Sequence, residues 1–584
     1  MHMRYRLPYA KNCKGRESLV SSRRNEMLKK TFAASAAVLA MAVTTFAAPQ
    51  SAAPKNIVVM IPDGCGPSIM TLARWKKGAP LAVDQMTTGL VKTDMANSVI
   101  TGSAAAATAF ATSFKTTARY LGLGPDTSRN LTTYEAEYSN ADLDHRPLAT
   151  VLEAARLQGK AVGLISTSRI THATPAAYAS HIQDRGWDND IMEHMVHNDI
   201  DVVFGGGARH LIPSGSSYTT SFGDVWDGRR TDGQNLMDVL ADKGYKFVDS
   251  KDGMASVLSG KVWGLFDDSH MDADLDRNEF HPTQPTIAEM TQKAIEILSQ
   301  DPDGFFLMVE GSQVDWGGHN NDPIYMVTDF LAFDSAVQVA KDFADANNET
   351  SVIGFPDHNC GGMDIGNRSW NWSYTGIKVD DLLGPLAGMK LTSGGVEKKL
   401  GGDYSEANII STVQTWWGIT LTSPDVAEIQ ALQAGDAGSF NYALARYVSK
   451  TYTGIGWTSH GHNGEDVPLW TWGTNRVLGT IDNTKIASMI FNALGMSVNA
   501  ANNRLFRKLT DYTIEDDDPT EYSNPTVVVS LPTATARMEI NRDVLEIDNG
   551  TTVDTYDLEG LVVKVPATEQ VWVPQQALDI MATY

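Results

Sequence analysis

Three short apolar runs, each closing on a carboxylate, constrain this chain more than any other feature. Residues 55–61 (KNIVVMI) run into Pro62-Asp63-Gly64, residues 304–309 (GFFLMV) into Glu310, and residues 351–355 into Pro356-Asp357. Uninterrupted apolar runs of this length, rich in β-branched residues, read as strands buried on both faces. Further strand-like runs at 160–165, 201–204 and 261–266 alternate with helical stretches at 103–112, 148–158, 286–299 and 328–343. Strands alternating with helices predict the α/β class, a large doubly wound and mostly parallel sheet flanked by helices. Such sheets hold ligands just beyond the carboxyl ends of their strands. Asp63, Glu310 and Asp357 are therefore expected at one shared edge.

Two regions break the alternation. About a hundred residues rich in Gly, Trp and Tyr separate His358 from His462, with helical stretches near 404–418 and 424–448. That is too long for a structureless loop, so 361–458 is expected to be an inserted subdomain. After a helix at 484–498 comes an acidic linker, 514–521 (IEDDDPTE), and then short strands (TVVVSL, LVVKV, QVWV). The chain thus divides into 1–47, a main domain at 48–510 and a linker with a small β-rich module at 511–584. No internal repeat is present.

Residues 1–47 read as an upstream extension and an export signal. Met27-Leu28-Lys29-Lys30 is positive, 31–46 is apolar and Ala-rich, and Thr45-Phe46-Ala47 has small residues at a cleavage position. Arg23-Arg24 only loosely fits a twin-arginine signal, so the ordinary export route is expected. The protein is then periplasmic or secreted, with no membrane span once the signal is removed.

The 584-residue chain carries a net charge of −23. Its first 47 residues hold nine basic and two acidic side chains, so without them the net charge is −30. A basic footprint for nucleic acid is absent, and that partner class is excluded. Such acidity suits a solvated surface, yet it would repel an anionic substrate. Only Cys65 and Cys360 remain beyond the signal, too few for a disulfide framework. A bridge between them stays an alternative.

Chemistry concentrates at a few points. Glu310 begins the run EGSQVDWGGH, in which Asp315 and His319 stand four apart and share one helical face. Carboxylate oxygen and imidazole nitrogen are common zinc donors. Asp357-His358 is a second acid–imidazole pair, and His462 lies in the loop HGHNGED. Strand-end acids with imidazoles suggest a multi-metal centre of the kind that clamps phosphoryl oxygens. Thr101-Gly102-Ser103-Ala104 places a serine at a helix start, where it is either a nucleophile held beside a bound phosphate or a simple N-cap. Glu193, His194 and His197 read as an exposed helix face, Asp272, Asp274, Asp276 and Glu279 as a solvated acidic loop, and Gly205-Gly206-Gly207 as a tight turn. Cys65-Gly66-Pro67-Ser68 has Ile69 where the sulfatase motif wants arginine.

The ordered set Pro62-Asp63-Gly64, Thr101-Gly102-Ser103-Ala104, Thr171-His172-Ala173-Thr174-Pro175, Glu310 to His319, Asp357-His358 and Gly461-His462 resembles the alkaline phosphatase family over roughly residues 55–500. The resemblance implies an alkaline phosphatase-like catalytic domain and a phosphomonoesterase acting through a phosphoserine on Ser103. It implies two Zn2+ and one Mg2+: one zinc on Asp315, His319 and His462, a second on Asp63, Asp357 and His358, and the magnesium on Asp63, Thr174 and Glu310, with His172 beside this third site. Arg185 is implied as the phosphate clamp; read on its own it would pair with Asp184 or Asp188. Three divalent cations would cover Asp63, Glu310, Asp315 and Asp357 and make the local field positive. The substrates implied are small phosphate monoesters, and the insert at 361–458 would form either a homodimer contact or a rim over the site. Two departures stand out. Gly102 occupies a position where the family often has aspartate, and His172 one where some members have aspartate. Hydrolysis of phosphodiesters or phosphonates, or metal and phosphate binding with weakened catalysis, are the alternatives.

Overall fold

A computed structural model describes residues 53–128, 141–368, 374–474, 476–515 and 524–584. The expected export signal and most of the acidic linker lie outside the described residues. Residues 53–584 form one compact unit.

Ten strands build its main sheet: β1 (Asn56–Pro62), β2 (Thr87–Lys92), β3 (Ala161–Arg169), β4 (Val202–Gly206), β5 (Lys246–Val248), β6 (Val262–Leu265), β7 (Phe305–Gly311), β8 (Thr350–Gly354), β9 (Val467–Gly473) and β10 (Gly479–Asp482). Their order is β10-β2-β9-β8-β1-β7-β3-β4-β6-β5. Only β9 runs against its neighbours; the remaining pairs are parallel. Every residue of β1, β7 and β8 is buried, which is why those runs read as unbroken apolar stretches rather than alternating ones.

The helices cover both faces. Ile57, Val59 and Ile61 point to one face, with 103–112, 151–157 and 188–197 packed there. Val58 and Met60 point to the other, against 287–298 and 323–347. Local signals set the helix starts. Thr150 with Glu153 and Thr286 with Glu289 are reciprocal capping boxes. The helix Pro323–Asn347 starts five residues earlier than its periodicity predicts, because Asp322 caps the N–H groups of Ile324 and Tyr325 and Pro323 suits the first helical position.

The segment between His358 and His462 holds more helix than expected: Val379–Ala387, Ser393–Leu400, Glu406–Trp417, Ser423–Leu432 and Phe440–Tyr452. The stretch expected at 424–448 is broken near Gly435 and Gly438, and the helix expected at 484–498 stops at Ala493 before Gly495, which has positive φ. Buried side chains of the insert, including Leu386, Val413, Trp417 and Leu444, belong to the same core as the adjoining sheet face. The C-terminal residues form a five-stranded antiparallel sheet (residues 513–557) and a three-stranded one, with a core of their own.

Two local expectations change. Glu193, His194 and His197 are buried, not exposed, because they face the C-terminal sheet: His194 Nε2 donates to Asn541 Oδ1 at 2.8 Å, and His197 pairs with Asp543 at 2.7 Å. Asp276 is also buried and accepts from the Thr392 N–H at 2.8 Å, so that acidic loop is partly packed against the insert. Cys65 and Cys360 are free and buried. Among the described residues no helix is long and apolar enough to cross a membrane.

Candidate active site

Parallel register brings the carboxyl ends of β8, β1, β7 and β3 side by side. Ile61 is level with Glu310, and Ser166 with Glu310 from the other flank. The turn after β1 uses Gly64 at φ 68°, and its N–H donates to Asp357 Oδ1 at 3.1 Å, as does the His358 N–H at 3.0 Å. His358 Nε2 then lies 3.0 Å from Asp357 Oδ2, 3.5 Å from Asp63 Oδ1 and 3.3 Å from Ser103 Oγ.

The helix Gln313–Asn320 supplies Asp315 and His319 one turn apart, with Nε2 3.3 Å from Oδ2. His462 arrives from the far side of the insert. A two-residue antiparallel pairing sets Cys360 opposite His462. This puts His462 Nε2 3.6 Å from Asp315 Oδ1 and stacks its ring on His358 with centroids 3.5 Å apart. His319 Nδ1–H donates to the His460 carbonyl (2.8 Å) and His462 Nδ1–H to the Thr101 carbonyl (2.9 Å). Each bond fixes the tautomer and leaves the Nε2 lone pair facing Asp315, the arrangement found in metal-ligating histidines.

Glu310 begins a third cluster. Its Oε2 accepts from Ser166 Oγ (2.8 Å) and Ser312 Oγ (2.6 Å), while Oε1 and Thr174 Oγ1 are buried without a hydrogen-bond partner. His172 Nε2 accepts from Arg185 Nη2 at 2.8 Å. A neutral ring accepting there carries its proton on Nδ1. In this arrangement His172 holds the arginine; ligating a cation through Nδ1 would need the other tautomer.

Ser103 opens the helix Ser103–Thr112 as its first residue, and Gly102 occupies the N-cap position without a side-chain cap. The N-cap reading of Ser103 is therefore set aside, and its hydroxyl is not spent on the helix. Arg185 is not in a surface pair either. Arg119 takes Asp184 at 2.5 Å and Arg169 takes Asp188 at 3.2 Å. The Arg185 backbone N–H is held by the Arg119 carbonyl at 3.0 Å, and its side chain points toward the site.

The electrostatics demand added positive charge. Burial, followed by the carboxylates of Asp357, Asp315 and Glu310, pushes Asp63 well above the usual carboxyl range. Burial also raises Glu310. Burial works against charge at Asp315 too, but the imidazoles of His319, His358 and His462 hold that carboxyl below its usual range. Both oxygens of Asp63, Asp315 Oδ1 and Asp357 Oδ2 lack hydrogen-bond partners. Buried acids left so are costly unless cations cover them. The donor atoms fall into groups within 4.8 Å: Asp315, His319, Cys360 and His462; Asp63, Asp315 and His358; Asp63, His172 and Glu310. Oxygen and imidazole donors at this spacing fit divalent metals.

All eleven residues expected from the sequence thus lie at one edge. Sequence reasoning missed the Thr101 and His460 carbonyls, Ser166 and Cys360. Backbone acceptors leave no trace in a side-chain pattern, and Ser166 follows the last hydrophobic residue of β3 with nothing to distinguish it. Gly64 has a steric role that can be tested. A Cβ there would sit 2.7 Å from Asp315 Cα, on a backbone that side chains rarely adopt. Gly64→Ala is expected to displace Asp315 and lower kcat/KM roughly 100-fold, the usual effect of a misplaced reacting group; wild-type kinetics in that variant would contradict the placement.

An edge built this way defines the class, an α/β protein with a candidate multi-metal centre at its strand ends. The family model described as alkaline phosphatase matches residues 54–496, and the chain belongs to that family. It is 33% identical over 469 residues to alkaline phosphatase 3 of Bacillus subtilis, covering 76% of this chain and 90% of that one. The crystal structure of Thermus thermophilus alkaline phosphatase superposes with a TM-score of 0.64 at 26% identity, over 77% of this chain and 96% of that one. A mutant of the alkaline phosphatase from the Antarctic bacterium TAB5, with Mg bound in its M3 site, shares the fold at 23% identity and a TM-score of 0.52, over 77% of this chain and all of that one.

Proposed function

We propose that Ser103 is the nucleophile of this phosphomonoesterase and that the reaction passes through a phosphoserine. The observation that carries this is the Ser103 hydroxyl, buried at a helix start, uncommitted to capping and 3.3 Å from His358 Nε2 among the strand-end acids. Ser103 Oγ bonds to phosphorus as the P–O bond to the alcohol breaks; water then opens the phosphoserine, releasing inorganic phosphate and restoring the hydroxyl. Arg185 grips two non-bridging oxygens through its planar fork. The free N–H groups at the start of the helix Ser103–Thr112 would add donors for the same phosphate.

Asp315, His319 and His462 would hold one zinc, Asp63, Asp357 and His358 a second, and Asp63, Thr174 and Glu310 a magnesium, as Mg in the M3 site of the TAB5 relative suggests. Bound there, these cations supply Lewis-acid stabilisation of the entering and leaving oxygens and acidify the serine hydroxyl. Residues 1–47 would direct export to the periplasm or medium, and 48–510 would form the catalytic domain with 511–584 appended.

The test is an acid quench during turnover of p-nitrophenyl phosphate, with the phosphorylated peptide identified by mass spectrometry. Phosphate on Ser103 is expected; a quenched enzyme phosphorylated elsewhere, or not at all in a burst regime, would overturn the reading.

Gly102 makes a second expected result. A Cβ there meets no atom within 4 Å, so Gly102→Asp has room to fold. Its carboxylate would add an anchor for Arg185, whose side chain donates to His172. The inhibition constant for inorganic phosphate is expected to fall roughly tenfold, equivalent to about 1.4 kcal/mol. An unchanged constant would show that Arg185 needs no such anchor.

A further inference from the structure

Glu310 is held from behind by hydroxyls that take no part in the reaction itself. Parallel register sets Ser166 of β3 level with Glu310 of β7. Ser168 shares the strand face of Ser166, and Ser312 follows just past the end of β7. All four side chains are fully buried. The Ser312 hydroxyl donates to Glu310 Oε2 at 2.6 Å, and the Ser166 hydroxyl donates to the same oxygen at 2.8 Å. The two hydroxyl oxygens stand 3.0 Å apart.

Backbone donors fix the direction of these bonds. The Ser168 N–H donates to Ser166 Oγ at 3.1 Å and to Ser312 Oγ at 3.2 Å. Ser312 is anchored in turn, its N–H donating to Thr167 Oγ1 at 3.0 Å. Each serine oxygen thus accepts from the backbone and gives its single proton to the carboxylate, the strongest acceptor in reach. A carboxylate oxygen has two lone-pair positions, so both positions on Oε2 are filled. Oε1 differs: it is buried without a hydrogen-bond partner, as are Thr174 Oγ1 and both oxygens of Asp63. His172, whose donor atom lies within 4.8 Å of those of Asp63 and Glu310, is turned to Arg185. Glu310 therefore presents one oxygen to a cation.

We propose that Ser166 and Ser312 are positioning residues for the third cation. By filling Oε2 they hold Glu310 to a single ligating oxygen, and so favour magnesium over calcium. Magnesium takes six oxygens at about 2.0–2.1 Å in near-ideal octahedral geometry and keeps several waters. A carboxylate spanning two corners of so small an octahedron distorts it. Calcium, with six to eight oxygens at about 2.3–2.6 Å, accepts both oxygens of one carboxylate. Turning Oε2 onto a cation would also leave two buried hydroxyls without their acceptor, which is costly. The assignment rests on the cation reading of Asp63, Thr174 and Glu310 given above, and is independent of the role of Ser103.

Zinc-loaded protein with Mn2+ as the probe separates the outcomes. Free Mn2+, read by electron paramagnetic resonance, reports occupancy of the third site, and Mg2+ or Ca2+ added in competition gives the affinity for each. Ser166→Ala and Ser312→Ala are each expected to weaken Mg2+ binding about tenfold, the usual cost of losing a hydrogen bond behind a metal ligand. Ca2+ binding should hold or tighten, so the preference for Mg2+ falls. An unchanged preference would overturn the proposal, and so would equal weakening of both ions, which marks a general loss of structure. Wild-type protein that takes up no Mn2+ beyond its zinc would overturn it together with the reading of the third site. Crystals of the Mg2+-loaded wild type give an arm that no variant can spoil. One Glu310 oxygen is expected about 2.1 Å from the cation, with the other still held by both serines; two Glu310 oxygens on the cation would overturn the assignment.

Discussion

Ser103→Ala is expected to abolish turnover while leaving the fold intact. A nucleophile that forms and loses a covalent bond in each cycle has no substitute within reach, so kcat/KM should fall by roughly 10,000-fold or more. What survives is the grip on the phosphate: inorganic phosphate should still bind, because Arg185 and the metal cluster are untouched. The hydroxyl makes no helix cap, so stability should change by less than about 1 kcal/mol. Steady-state kinetics, phosphate binding by calorimetry and thermal denaturation read the three quantities separately. Activity within tenfold of wild type would remove Ser103 from the mechanism and shift attention to direct attack by water.

The second large effect concerns stability. Glu153 is fully buried in the helix Val151–Leu157, yet it is thoroughly bonded. Its Oε2 accepts from the Thr150 N–H at 2.8 Å, and its Oε1 accepts from His181 Nε2 at 3.0 Å and Asn198 Nδ2 at 3.2 Å. His181 Nδ1–H in turn donates to the Gly122 carbonyl at 2.9 Å. Glu153→Ala strips the helix of its capping partner and leaves two buried donors without acceptors. The expected cost is about 3–5 kcal/mol, measured by chemical denaturation; a loss below about 1 kcal/mol would mean that water replaces the carboxylate. Glu153→Gln keeps one acceptor oxygen and should cost less. There is a pH signature as well. Burial opposes the charge, but His181 holds the carboxyl below its usual range. The folded-state pKa therefore lies under the unfolded value of about 4.3. The contribution of Glu153 is complete above that value and disappears as pH falls through the folded one.

The two cases differ in how visible they are in the sequence. Ser103 stands in a motif, and its position at a helix start follows from the Ala-rich run behind it. Glu153 reads as an ordinary first-turn acid, and nothing nearby announces that His181 will fold onto it. The same contrast holds elsewhere. β1, β7 and β8 were legible because parallel strands buried on both faces are apolar throughout. β2 was not, because exposed positions interrupt its pattern, and β9 was not, because Pro468 and Thr471 break up a stretch whose first five residues are all buried. The helix 188–197 was misjudged for a related reason: its polar face is buried by the C-terminal sheet, a partner more than three hundred residues away in sequence.

The sequence by itself determined the α/β class, the strand ends that carry Asp63, Glu310 and Asp357, and the one-turn spacing of Asp315 and His319. These depend on local periodicity, which the backbone geometry of strands and helices imposes directly. Only the tertiary structure decided the rest. Parallel register brought the strand ends that carry the three acids to one edge, a two-residue strand pairing across the insert delivered His462, and the carbonyls of Thr101 and His460 chose the tautomers. The binding of Arg185 by His172 is likewise a contact that the intervening turn makes and neither residue announces. The energies of these contacts depend on distance and burial in three dimensions, quantities that no single stretch of the chain encodes.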